Sequence, residues 1–547
     1  MSPAVPGTRN GGSHSPDSAG PSLWHRFSAS APPETSLKVA VVTPELQSLV
    51  LRTNLAGVAE SLATALRVQG ADARVFLPLH RGLELGKLSN VQTVAELSVK
   101  DGRAKDGQQP IQRFKVLHGK LPMPKPGTGT ARELPVYLFD QPVLFGTRQP
   151  YSGEEGPYPD NWRRYALFSR AVLESFPALG FEPEVIHCLD WTTGLLPLFH
   201  QVEYVERELD HPAARAGTFF GIHNLALQGV FEREILPHVG IPHSYFRSVR
   251  GVDLAGKVNF LKAGAEFATI IGTHSPMHAL KIQERDRGYG LEETFQRRGK
   301  EMFGITNGID YQAWDPSNDP ALPAAFSARD KELAGKKKCK SVLQQKLGLD
   351  TGARTPLACC IGRWDADGGI DLLAEILTPI LERGLELVVM GTGSPEIQQR
   401  LKTMEGTFMG RCRVIDGYQV NVAHLVMGGA DLLILPSHYQ PSNPLFAIAL
   451  RYGVAPVLYS RSGLEDIVPD FTANPRQGLG FHFDDYSGDG LLAGIDSALK
   501  AYKSPATWKT LARRCLGKDF SWASTADEYL KVYRRVMRRA KARQEAD

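Results

Sequence analysis

The 547-residue sequence is poor in the features that would most quickly narrow its chemistry. Its six cysteines stand at positions 188, 339, 359, 360, 412 and 515, with no CxxC and no Cys/His spacing suited to zinc, so no metal site is expected. Cys359 and Cys360 fall in an apolar stretch and read as small core residues, and the usage as a whole fits a reducing compartment. No apolar run approaches the roughly 20 residues needed to span a bilayer, which argues against a membrane partner. The N-terminus has no hydrophobic signal-peptide segment, so secretion is not expected. A formal net charge of only +4 gives no case for a nucleic-acid partner. The basic run Gly335, Lys336, Lys337, Lys338, Cys339, Lys340 reads as a solvated helix face, with an anion contact as its functional alternative. A more local absence lies between Ser437 and Leu450, where there is no acid, no Lys and no Arg.

What is present is the composition of an ordinary globular protein, 42% hydrophobic and 22% charged, long enough for roughly two to four domains. Residues 1–36 are rich in Pro, Gly and Ser and are expected to be disordered; Asp17 and the few Arg residues there weaken a transit-peptide reading. At Leu37 the pattern changes sharply. LKVAVVTPE predicts a strand, and Leu55, Val58, Ala59, Leu62 and Leu66 share one face of a helix over 54–69 that Gly70 ends. ARVFLPL, residues 73–79, then completes a βαβ unit, the building block of parallel sheets. Residues 101–133, polar and rich in Gly, Pro and Lys around a short strand, read as a surface excursion. The alternation continues in two blocks, 37–273 and 274–515, followed by a C-terminal segment, 516–547, whose amphipathic, increasingly basic helix is expected to pack back on the first block. The fold class is therefore α/β, two doubly wound Rossmann-like domains facing one another across a cleft. The stretch Ile434 to Tyr452 reads as strand, loop and helix, and in open α/β sheets such loops at strand carboxyl ends face the ligand.

The order of landmarks is specific. LAGVAESLATAL, VYLFDQPVLF, YPDNWRRYALFSRAVLE, EVIHCLDWTTGLLP, GIHNLALQGVF, FLKAGAEFATIIGTHSP, GITNGID, GRWDADGGIDLL, VMGTGSPEIQ, HLVMGGADLLILPS and DFSWASTADEYLKVY follow one another through the chain. In that series the sequence resembles the bacterial glycogen synthase and plant starch synthase family, retaining glycosyltransferases of GT-B fold, from Leu37 to about Met537. The resemblance implies transfer of glucose from a nucleotide sugar, ADP-glucose or UDP-glucose, to the non-reducing end of an α-1,4-glucan, with no metal and no cofactor. It places Arg363, Arg52, Asn54, Gly393, Ser442 and Asn443 on the donor side. Asp140, Asp190, Trp191, His223 and Asn224 fall on the sugar or acceptor side.

Without a metal, the leaving diphosphate needs protein cations, backbone N–H groups and a helix N-terminus. Four segments depart from the family at such places. Where the family has Lys-Thr-Gly-Gly-Leu, this chain has Leu51, Arg52, Thr53, Asn54 and Leu55, which could equally be a helix start capped by Thr53 or Asn54. In the family's His-x-His-Asp-Trp-His, the second His is Leu189, which cannot hydrogen-bond a sugar hydroxyl. In the phosphate-binding segment Arg363 is kept, but the Gln-Lys pair has become Asp367 and Gly368. The family's Glu-Pro-Cys-Gly-Leu has become Gln440, Pro441, Ser442, Asn443 and Pro444: Gln cannot act as a base, and Pro444 has no N–H to offer a donor.

Departures confined to the chemistry, with the scaffold intact, point to a retained fold and an impaired or lost transfer reaction, in a glucan-binding or regulatory homologue that could associate with an active synthase paralogue. The alternative is an active glycosyltransferase with an altered donor or acceptor, its phosphate charge carried by Arg52, Arg363 and Lys336. A structural protein using the fold for an unrelated partner ranks last. The expected location is the cytoplasm, with a plastid as alternative.

Overall fold

A computed structural model describes residues 36–102, 110–123, 133–207, 209–285, 287–350, 352–440 and 443–545. Most of the N-terminal tail expected to be disordered lies outside these residues, as does Ser442.

The first block forms a nine-stranded sheet. Its spatial order is Met302–Gly304, Ile270–Thr273, Gly217–Ile222, Val185–Leu189, Lys38–Val42, Asp72–Pro78, Glu133–Asp140, Ile111–Pro122 and Ser89–Lys100. The first seven strands are parallel, as βαβ connections require, and the last two are antiparallel. Two details differ from the sequence reading. The division after residue 273 falls inside this sheet, whose last strand ends at Gly304. The supposed surface excursion supplies Ile111–Pro122, a 12-residue strand paired on both sides. Its polar composition reflects one solvated face, because Phe114, Val116 and Leu121 are buried while Ile111, Arg113 and Lys115 are exposed.

The second sheet has six parallel strands in the order Cys412–Asp416, Glu386–Gly393, Leu357–Trp364, Leu432–Leu435, Ala455–Tyr459 and Phe481–Phe483. Its strands are near-continuous apolar runs, as expected where helices cover both faces. All six cysteines are buried and free. The helical segment that follows Gly369 is interrupted at Ile376, giving Ile370–Glu375 and Leu377–Glu382.

The basic run is not a solvated face. It lies in the helix Ala334–Leu347, where Lys337 and Lys338 are exposed but Lys336 and Lys340 are buried. Lys336 Nζ donates to the Tyr452 carbonyl at 2.9 Å, and burial lowers its pKa to about 8. Lys340 Nζ pairs with Asp431 at 2.6 Å. Lys336 is thus committed to the core and is not among the residues lining the cleft.

The last helix, Trp522–Gln544, packs on the first sheet. Its Tyr533 hydroxyl shares a 2.6 Å hydrogen bond with His187 Nδ1 on the strand Val185–Leu189. Gly217 makes the close approach feasible, since a Cβ there would lie 2.4 Å from Val536 Cγ1. Among the described residues no helix is long and apolar enough to cross a membrane.

Candidate functional site

A cleft of about 1170 Å³ opens where segments following both sets of parallel strands meet. Asp190 and Trp191 follow the strand ending at Leu189, His223 and Asn224 the one ending at Ile222, and His274 the one ending at Thr273. Across from them, Asp367 follows the strand ending at Trp364, and His438, Tyr439 and Gln440 follow the one ending at Leu435. This is the carboxyl-end placement that open α/β sheets give their ligands.

On the N-terminal wall, Asp190 adopts φ 57° and ψ −175°, a strained backbone conformation that residues other than glycine rarely occupy. Its Oδ1 accepts from the His223 N–H at 2.6 Å and the Asn224 N–H at 3.2 Å, tying two strand ends together. Burial raises its carboxyl to about 6 against the pull of those two donors. Burial likewise holds the His223 imidazole down to about 4, so the ring is neutral at physiological pH. Trp191 is buried, its ring edge-on to Tyr165 at 5.3 Å. Leu189 is fully buried in the apolar core.

The loop entering the first helix is organised by Glu45, which is fully buried. Its carboxylate accepts from the Arg52 N–H at 2.7 Å, the Thr53 N–H at 3.0 Å and the Tyr151 hydroxyl at 2.7 Å, and from the Thr53 hydroxyl as well. Thr53 is the N-cap, accepting from Leu55 N–H at 3.2 Å. Asn54 lines the cleft; Arg52 turns to Gln149, its Nε 3.0 Å from Oε1, and is not among the lining residues.

The C-terminal wall is held by hydrogen bonds of its own. Arg363 lines the cleft but is ion-paired with Asp365 at 3.3 Å and lies 4.0 Å from Asp367. Gly368 donates its N–H to Asp365 Oδ1 at 2.8 Å, closing a tight turn, and a Cβ on Gly368 would lie 2.4 Å from the Arg363 carbonyl oxygen. Gln440 Nε2 donates to the Asp367 carbonyl at 3.4 Å, and its Oε1 accepts from Asn443 Nδ2 at 2.9 Å. Asn443 Oδ1 in turn accepts from the Leu445 N–H at 3.0 Å, so the first amide of the helix Leu445–Arg451 is already occupied, and Pro444 before it has none.

Residues 38–297 match the family described as starch synthase catalytic domain. A glycogen synthase of Syntrophotalea carbinolica is 34% identical over 92% of this chain and 99% of its own length. One from an Anaeromyxobacter species is 39% identical over 73% of this chain and 83% of its own. The chain belongs to the glycogen and starch synthase family. Among solved structures, the catalytic domain of starch synthase IV from Arabidopsis thaliana, bound to ADP and acarbose, superposes with a TM-score of 0.76 at 28% identity, covering 92% of this chain and all of that one. The GT-B architecture follows from this match and from the two sheets.

Seen as a member of this family, the chain brings Asn54, Asp190, Trp191, His223, Asn224, Arg363 and Gln440 to one cleft. Asp140, Gly393 and Asn443 are not among the lining residues. Asp140 ends its strand opposite Lys115, and Gly393 is needed where its strand passes Trp364, whose carbonyl oxygen would lie 2.1 Å from an added Cβ. The sequence reading missed Arg285, Arg287, His274, His278, Asn307 and Tyr439, which also line the cleft. The uncharged stretch after Ser437 thus does not make an uncharged cleft: Arg285 and Arg287 come from a loop nearly 150 residues earlier, placed by the Gly288–Gly290 turns and not by any periodic pattern.

Proposed function

We propose that this protein is a glycogen synthase homologue whose cleft receives a nucleotide sugar and an α-glucan but in which glucosyl transfer is impaired or lost, leaving a glucan-binding or regulatory role, with an active synthase paralogue as a candidate partner. The chain Asp367–Gln440–Asn443–Leu445 carries the reading. It uses, for internal hydrogen bonds, the groups from which a metal-free transferase would draw charge stabilisation for the departing diphosphate. The ligand classes are supported by the ADP and acarbose in the Arabidopsis relative and by the names of the bacterial synthases. The bacterial relatives also support a cytoplasmic location.

A second reading, an active transferase with an altered donor, is favoured by the two additional cleft arginines, Arg285 and Arg287. Incubating the protein with radiolabelled ADP-glucose or UDP-glucose and glycogen primer separates the two. The first reading expects glycogen co-sedimentation with no incorporation; the second expects incorporation from at least one donor.

A further inference from the structure

The loop that carries Arg285 and Arg287 is held in place more firmly than its irregular sequence suggests. Glu292 Oε1 accepts from the N–H groups of Gly288 and Gly290, each at 3.1 Å. Gln228 Nε2 donates to the Tyr289 carbonyl at 3.0 Å, tying the loop to the neighbouring segment. Arg287 stands over the Tyr439 ring, its Cζ 5.1 Å from the centroid. That cation–π contact fixes the guanidinium against the same strand-to-helix loop that holds Gln440 while leaving its N–H donors in the plane of the group. Neither Arg285 nor Arg287 has a carboxylate partner among the described residues, whereas Arg363 on the opposite wall is paired with Asp365.

A second observation points to a ligand in this cleft. His274 is only 4% exposed, lines the cleft, and has an Nδ1 with no hydrogen-bond partner. Asn307 Oδ1 and Tyr439 Oη line the same cleft and are likewise unpartnered. Buried polar atoms are nearly always satisfied, so three unsatisfied ones in one cleft mark a surface that a polar ligand completes.

We propose that Arg285 and Arg287 are the phosphate-recognising pair of this cleft, supplying from the N-terminal wall the charge that Gly368 no longer supplies from the other. This rests on the reading of the cleft as a nucleotide-sugar site and names the residues that would hold its phosphates. A planar guanidinium binds phosphate oxygens in pairs, so two of them suit a diphosphate better than a monoanion. A grip on the diphosphate that is already made in the ground state serves binding without restoring transfer.

The test is calorimetric titration of the full chain with ADP, inorganic pyrophosphate, adenosine and maltoheptaose. The wild type is expected to bind ADP and pyrophosphate, with adenosine at least tenfold weaker than ADP. The double variant Arg285→Ala/Arg287→Ala should lose at least tenfold for both phosphate probes while keeping its maltoheptaose affinity and melting temperature. A double variant that loses less than tenfold for either phosphate probe overturns the proposal. A wild type that binds maltoheptaose but neither phosphate probe overturns the arginine pair and leaves the glucan reading standing. Pyrophosphate binding that depends on the arginines, without ADP or maltoheptaose binding, supports the pair and overturns the nucleotide-sugar reading.

Discussion

Gln440 and Asp367 touch one another across the cleft's C-terminal wall: the Gln440 amide donates to the Asp367 carbonyl at 3.4 Å while its oxygen accepts from Asn443 at 2.9 Å. Only an amide can do both. A carboxylate at 440 would set two acceptors against each other and leave Asn443 as its sole donor. The substitutions in the two loops therefore support one another as a unit.

Gln440→Glu, the apparent reversion, is accordingly expected to destabilise the fold by about 1 kcal/mol through the lost donor and the acceptor–acceptor contact. It should not restore transfer. Urea unfolding and glucose incorporation on the same preparation check both halves.

Gly368→Lys is expected to fail as a restoration for a steric reason. The new Cβ would lie 2.4 Å from the Arg363 carbonyl oxygen, a backbone atom that cannot move without opening the turn closed by the Gly368 N–H and Asp365. The expected loss is about 1–3 kcal/mol, of the kind seen when atoms are forced into filled space, read as a lower denaturation midpoint.

Asp190 makes stability depend on pH in a direction unusual for a carboxylate. Its folded pKa, about 6, lies above the ordinary value of 3.8 because burial outweighs its two backbone donors. The folded state holds the proton more tightly, so this contribution is full below the unfolded pKa and is lost as pH rises through about 6. A shift of this size corresponds to about 3 kcal/mol at most. Asp190→Asn keeps the side-chain shape and an oxygen for the His223 and Asn224 N–H groups while removing the titrating group. Unfolding free energies between pH 4.5 and 7.5 (about three units, the window set by that shift) should fall with pH in the wild type relative to this variant.

Tyr533→Phe removes the hydroxyl bonded to His187 Nδ1 and leaves a fully buried ring nitrogen without its partner. A loss of about 1–3 kcal/mol is expected. Because that bond joins the last helix to the first sheet, hydrogen exchange should quicken in Trp522–Gln544 before it does in the central strands.

Much of the framework was legible in the chain. The helix beginning at Asn54 showed its apolar face and two candidate caps, Thr53 and Asn54, of which Thr53 is used, and the strand ahead of the 436–444 loop was an apolar run broken at Pro436. What escaped had no local signature. Lys336 and Lys340 look solvated as a basic run, yet one turn of helix separates them, so they share the face that meets Tyr452 and Asp431. Ile111–Pro122 is a sheet strand that reads as surface because one face is wet. Arg285 and Arg287 enter the cleft only through tertiary folding of an irregular loop. Glu45, which braces Arg52, Thr53 and Tyr151, gave no signal as a single acid between apolar residues.

The two readings of the cleft part on whether its C-terminal wall supports glucosyl transfer. Incorporation of radiolabelled glucose from ADP-glucose into glycogen, measured on the full chain beside an active bacterial synthase, tests it most directly. With no carboxylate at Gln440 and no cation at Gly368, groups each worth roughly 2–4 kcal/mol in a transition state, the proposed impairment predicts a rate at least about 10³-fold below that of the active enzyme. Incorporation within tenfold of that enzyme would contradict it.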